Sequence, residues 1–220
     1  MRALRFYFDY ISSNAYLAWH RLPELERRFA LAIEPVPVLF AGLLEAHGQL
    51  GPAEIPAKSR WMWRDNLRKA ARLGLPLEPP RFHPFNPLLP LRVSSLPLGD
   101  DERRALIGAL FHAQWAERRH LSEPGVVAAV ADAAGLPGAE LVARAQELES
   151  KQRLRRQTEE AIGVGVFGVP SMLVESELFW GFDDLGHLEL YLRGEDPLEG
   201  RRDSIPEARL PASAQRRRVL

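Results

Sequence analysis

The chain has 220 residues, 29 of them acidic and 29 basic, and carries no formal net charge. Such a balance leaves no basic footprint, so neither nucleic acid nor a membrane surface is expected as a partner. The absence of cysteine excludes disulfides, thiolate metal sites and any redox chemistry carried by the protein's own sulfur. The N-terminal MRALRFYFDY lacks the long apolar segment and small-residue cleavage site of a secretory signal, and no apolar run approaches bilayer length, so a soluble cytoplasmic protein is expected.

In chain order, Leu4, Phe6 and Phe8 alternate with Arg5 and Tyr7, which predicts a strand over 4–8. From Asn14 the period changes: Ala15, Ala18, Trp19, Leu22 and Leu25 recur at helical spacing, and Pro23 should kink that helix. IEPVPVLF, residues 33–40, reads as a second strand, and Pro35 and Pro37, each lacking a donor, push it to a sheet edge. Residues 41–163 are mostly helical in pattern, with helices predicted over 57–73, 100–119, 138–149 and 151–163. SEPGVVAAVADAAGL adds another between its serine and Gly135, and the stretch PLEPPRFHPFNPLLP reads as a proline-rich connection. Strand character returns in SMLV, 171–174, and LFWG, 178–181, joined by a short turn, before a closing helix over 183–192. After Gly194 the composition turns rich in proline and arginine, predicting a mobile tail over 195–220. The order predicts an α/β fold in which residues 1–40 and 164–194 form one discontinuous domain and residues 41–163 an inserted all-helical domain.

Two serines, Ser12 and Ser13, stand where the first strand meets the first helix. A helix start exposes unpaired N–H groups and the positive end of the macrodipole, which favours an anion. On local sequence Ser12 is either an N-cap or a hydrogen-bond donor to an anion brought by a ligand. A serine nucleophile needs a base; no GxSxG pattern is present, and His20 lies about two turns away along the helix.

FYFDYISSNAYLA resembles the opening of the 2-hydroxychromene-2-carboxylate isomerases and their relatives, the kappa-class glutathione transferases, in which a pattern F-D-x-x-S-P-x-x-Y-L holds a key serine. GVFGVPSMLVESELFWGFDDL, 165–185, resembles the family's G-V-F-G-V-P stretch, strand hairpin and W-G-x-D, while PAKSRWMWRD, 56–65, and FNPLLPLR, 85–92, resemble its helical signatures. The likeness runs in order over residues 4–192. It implies a thioredoxin-like, DsbA-like domain with a large helical insertion, a homodimer, glutathione as cofactor and a small aromatic substrate. The corner that holds Cys-x-x-Cys in thioredoxin relatives reads Ser12-Ser13-Asn14-Ala15 here, so a reactive sulfur must come from outside.

The resemblance assigns Ser12 as the catalytic residue that holds glutathione as thiolate. Val169 and Pro170 match the family's cis-proline loop, whose backbone pairs with the glutathione main chain. Phe182 and Asp183 match the γ-glutamyl end, with a helix cap as the alternative for Asp183. Lys58 is matched to a glutathione carboxylate and Trp61 to a flanking aromatic, with a solvated lysine and a core tryptophan as alternatives. Phe85 and Asn86 match the second-substrate pocket, with a plain connection as the alternative. Three residues depart from the pattern: Ser13 replaces proline, Gln49 stands in place of a glutathione-contacting asparagine, and Asp184 stands where arginine is customary. An anion in place of that cation should weaken or reposition glutathione. The expected activity is a glutathione-dependent cis-trans isomerisation of 2-hydroxychromene-2-carboxylate or a similar enone carboxylate. The alternatives are a kappa-like transferase and a thioredoxin-like ligand-binding protein without turnover. His83 and His112 are not tied to the site by anything in the sequence.

Overall fold

In the computed structural model, which describes residues 1–201, the aromatic-rich strand β1 spans Arg2–Phe8. It sits inside a four-stranded sheet of order β2-β1-β3-β4, with β2 at Leu31–Pro37, β3 at Ser171–Val174 and β4 at Glu177–Trp180. β1 runs parallel to β2 and antiparallel to β3, and β3 pairs antiparallel with β4. As expected from Pro35 and Pro37, β2 lies at an edge, where a missing N–H costs no ladder bond. Glu175, with φ 57°, turns the β3–β4 hairpin.

Between β1 and β2 the structure has two helices in place of one kinked helix: α1, Ser13–Trp19, and α2, Leu22–Phe29. Pro23 stands in the first turn of α2, where its missing N–H is no loss, so the proline starts a helix and does not bend one. After β2 come α3, Phe40–His47; α4, Pro56–Leu73; α5, Leu88–Ser94; α6, Asp100–Trp115; α7, Pro124–Ala133; α8, Gly138–Arg144; and α9, Leu148–Gly163. Helix α5 begins inside the stretch read as a plain connection; its Pro90 falls in the first turn, which tolerates proline. A 3-10 turn, Phe182–Asp184, precedes α10, Leu185–Arg193.

Contacts divide the chain into two units, Met1–Leu185 and Gly186–Leu220. In the second unit, described up to Arg201, the end of α10 gives way to backbone turns from Glu199 N–H to Asp196 O and from Arg201 N–H to Leu198 O. The rest of the expected tail, 202–220, lies outside the described residues.

The sheet of the first unit is covered on both faces, which explains why Tyr7 is buried although the alternation placed it opposite the apolar face. Tyr7 packs with Val38, Leu43, Ala161, Val166, Val169 and Leu173 under α3 and α9. On the other face Phe6 and Phe8 meet Trp19 and Phe111, and Gly108 lets α6 close against the Trp19 indole.

Two buried groups set the end of β1. Asp9 is fully buried; its Oδ1 accepts from Ile11 N–H at 3.0 Å and its Oδ2 from Phe40 N–H at 2.9 Å, joining the β1 end to the start of α3. Burial pushes this carboxyl from its ordinary 3.8 up to about 7, against the pull of the two N–H groups. Trp115, also fully buried, donates Nε1–H to the Tyr10 carbonyl at 3.0 Å, fastening the next stretch of backbone to α6.

Trp115→Phe, which leaves the Tyr10 carbonyl buried without its donor, is expected to cost about 2–4 kcal/mol in urea unfolding; an unchanged midpoint would show that the bond carries nothing. Because the folded Asp9 holds its proton more tightly than the unfolded chain, its contribution to stability is complete in acid and fades as pH rises from about 4 through about 7. Over that window the wild type should lose up to about 4 kcal/mol relative to Asp9→Asn in urea titrations run at successive pH values. Parallel profiles for the two proteins would contradict this.

Candidate active site

Ser12 has extended backbone, φ −96° and ψ 112°, and caps α1: its Oγ accepts from Ala15 N–H at 3.1 Å. Its own N–H donates to the Asp9 carbonyl at 3.0 Å, so the buried carboxylate and the capping serine belong to one folded corner. The hydroxyl hydrogen points across the chain to the Val169 carbonyl at 3.4 Å. Capping uses the oxygen as acceptor and leaves the O–H to donate, so the two sequence readings of Ser12 are compatible. The N–H groups of Ser13 and Asn14 have no acceptor among the described residues.

Ser13 has a different task. It is buried, and its Oγ accepts from Asn66 Nδ2 at 2.7 Å, so the serine that replaces the family's proline ties α1 to α4. The Asn66 Oδ1 is buried without a hydrogen bond among the described residues.

Across the corner, the Val169–Pro170 bond is cis, the Pro170 carbonyl accepts from Gly181 N–H at 2.9 Å, and Ser171 Oγ donates to Gly168 O at 2.7 Å. The Val169 N–H makes no hydrogen bond among the described residues, because β3 pairing begins at Ser171. Trp180 closes the outside of this loop: its ring stands 5.1 Å from that of Phe167, and a Cβ on Gly168 would run into the indole.

Helix α4 carries three further positions. Lys58 is exposed, with no ion pair among the described residues, and Trp61 is 59% exposed, which removes its core alternative. Further along the helix, Lys69 was missed by the sequence reading. Its Nζ lies 2.6 Å from Asp65 Oδ2 and 2.6 Å from Asp183 Oδ2, and 5.4 Å from the Phe182 ring centre. The available signal was spacing: Lys58, Asp65 and Lys69 share one face of a 3.6-residue helix. Asp183 therefore does not act as an N-cap; it lies within the 3-10 turn, exposed, one oxygen held by Lys69. The Asp184 Oδ2 accepts from Trp180 N–H at 3.0 Å and so braces the end of β4.

Phe85 is buried, while Asn86 is exposed, its Oδ1 accepting from Leu88 N–H at 3.0 Å at the start of α5 and its carbonyl accepting from Ser122 Oγ at 3.0 Å. No described hydrogen bond joins either to Ser12. Gln49 is exposed beyond α3. His83, unassigned in the sequence, is connected to the corner after all. Its ring stands 5.5 Å from Trp63 and 5.8 Å from Trp115, whose N–H holds the Tyr10 carbonyl two residues before Ser12. Burial holds its imidazole below the usual histidine value. No sequence spacing announces this cluster, since its members come from three separate segments.

The corner thus holds a hydroxyl whose hydrogen is turned to the Val169 carbonyl and, on the proline loop, a Val169 N–H without a partner among the described residues, while α4, tied to α1 through Asn66, carries exposed Lys58 and Trp61 and the Lys69 that holds Asp183. The donors at the start of α1 suit an anion, and the Val169 N–H suits an extended backbone. Comparisons with known proteins agree with the architecture. The DSBA-like thioredoxin domain family matches residues 3–193. The 2-hydroxychromene-2-carboxylate isomerase of Sphingobium xenophagum is 31% identical over 193 residues, 87% of this chain and 98% of the relative. The glutathione S-transferase kappa 2 of Caenorhabditis elegans is 28% identical over 184 residues, 78% of this chain and 80% of the relative. Among solved structures, a selenomethionine 2-hydroxychromene-2-carboxylate isomerase superposes with a TM-score of 0.81 at 26% identity, covering 92% of this chain and 98% of that one. The chain has the α/β thioredoxin-like fold and belongs to the DSBA-like thioredoxin domain family, and within it to the family of the 2-hydroxychromene-2-carboxylate isomerases.

Proposed function

We propose that the chain is a glutathione-dependent isomerase of 2-hydroxychromene-2-carboxylate or a similar small aromatic enone carboxylate. The observation that carries this reading is the placement of the Ser12 O–H, whose oxygen already caps α1 as an acceptor, opposite the Val169 main chain. The residues fit the tripeptide: the unpaired Val169 N–H offers a main-chain donor beside Pro170, exposed Trp61 an aromatic flank, and Lys58 a cation for a carboxylate. Phe182 and Asp183, both in contact with Lys69, are assigned in this reading to the γ-glutamyl end.

Bound as its thiolate, glutathione would supply a nucleophile that adds reversibly to the conjugated double bond, allows rotation and departs unconsumed. The chain's task is to favour that anion. A free thiol with a pKa of about 8.5 is only a few per cent ionised at neutral pH. A hydrogen bond from Ser12 to charged sulfur, worth about 1.5–3 kcal/mol, lowers that value by roughly one to two units. Ser12 meets the requirement by turning its O–H away from Val169 O, a long bond that is cheap to give up, while its oxygen keeps capping Ala15. No base is needed, because the serine stays protonated. Phe85 would supply apolar wall for the substrate, and Asn86, whose amide nitrogen has no acceptor among the described residues, a donor. The same reading takes the enzyme as a cytoplasmic homodimer.

The test follows isomerisation of 2-hydroxychromene-2-carboxylate by absorbance with and without glutathione, with glutathione recovered at the end. Glutathione-dependent turnover without consumption is expected, and Ser12→Ala should lower kcat/KM roughly 10–100-fold while raising the thiol pKa of the complex by about one to two units. Turnover independent of glutathione, or unaffected by Ser12→Ala, would contradict the proposal.

A further inference from the structure

The turn at Phe182–Asp184 carries two carboxylates, and Asp65 of α4 brings a third towards it through their common partner Lys69. Left to themselves these groups would accept the ammonium of an α-amino acid and repel its carboxylate. The customary arginine after Asp183, which would offset this, is Asp184 here, and Asp184 is engaged with the Trp180 N–H. Lys69 brings a cation to the same place from a different element. Its side chain is only 11% exposed, both carboxylates hold it at 2.6 Å, and the Phe182 ring covers it at 5.4 Å. Asp183 is 77% exposed, so one face of the pair is open to a ligand.

We infer that Lys69 replaces the missing arginine and that the Lys69–Asp183 pair reads the zwitterionic head of a γ-glutamyl group. This rests on the glutathione reading of the site. Asp183 accepts the α-ammonium with the oxygen Lys69 leaves unbonded, and Lys69 directs to the α-carboxylate the one N–H of its three that neither aspartate takes. Holding Lys69 between two carboxylates fixes its rotamer before the ligand arrives, so little ordering cost falls on binding. Lys69 is thereby a specificity residue for the α-carboxylate, eleven residues along α4 from Lys58, about 16 Å by helical rise, with the Asn66–Ser13 contact between them. The two lysines then address the two ends of the tripeptide, with its sulfur between them at the corner.

The experiment is calorimetric binding of two ligands, glutathione and 4-aminobutyryl-cysteinyl-glycine, which differ only in the α-carboxylate. The wild type should prefer glutathione by roughly tenfold to a hundredfold, and Lys69→Met, which leaves Asp65 and Asp183 without their cation, should abolish that preference or reverse it in favour of the analogue. Asp184→Arg placed in the Lys69→Met background should restore the preference. A Lys69→Met protein with native circular dichroism that keeps the preference, or that weakens both ligands by the same factor as a mere structural staple would, overturns the inference and leaves the glutathione reading standing. A wild type that binds neither ligand removes the glutathione reading itself. If Lys69→Met does not fold, Asp65→Asn reads the same contact in the other direction: freeing the ammonium from one carboxylate should widen the preference, and an unchanged ratio overturns the inference.

Discussion

The antiparallel register of β1 against β3 is the constraint from which the site follows. Tyr7 lies opposite Ser171, so the chain leaving β1 and the chain entering β3 run side by side beyond the last ladder pair. Residues just past Tyr7 must then face residues just before Ser171. That is how Ser12 and Val169, separated by 157 positions, come within hydrogen-bond reach. A one-residue slip would exchange the faces of the strand, send Tyr7 to the aromatic side and Phe6 to the other, and dissolve both cores. The meeting of Ser12 with Val169 therefore depends on the sheet register itself.

Polar groups buried around the corner complete it, and each restrains a different stretch. Asp9 holds Ile11 and Phe40, Trp115 holds Tyr10, and Asn66 holds Ser13. Each is a high-stakes contact, since removing one partner leaves a desolvated group without compensation. The exposed ion pairs differ in kind: Arg5–Glu34, across β1 and β2, is about half exposed at both ends and belongs to a class worth about 0–1 kcal/mol. Lys69 stands between these cases, nearly buried itself but paired to an open Asp183, which suits a group that must be ordered and still reachable.

Much of the fold was legible because it rests on short-range pattern. The alternation of Leu4, Phe6 and Phe8 gave β1, the prolines of β2 gave its edge position, and the amphipathic run over 57–73 gave α4 within a residue. Proline was misread twice, at Pro23 and Pro90, for one reason: its effect depends on whether it falls in the first turn or the interior of a helix, and the boundary itself was unknown. In the site, Ser12 and the Val169–Pro170 loop were visible through motif likeness. Asn66, Lys69, Trp115 and the His83 cluster were not, because each acts through a partner far away in sequence whose position only the folded sheet and helices supply. Asp183 shows the same limit. Local sequence offered a helix cap, and tertiary packing gave an ion pair.

The central claim is that a protonated serine at the mouth of α1 stabilises a sulfur anion the chain does not itself possess. A crystal structure of the protein soaked with glutathione tests it most directly. The account predicts the sulfur within hydrogen-bonding distance of Ser12 Oγ and the cysteinyl main chain alongside Val169. A tripeptide bound with its sulfur away from residue 12, or a Ser12 hydroxyl still turned to the Val169 carbonyl beneath a bound ligand, would contradict it.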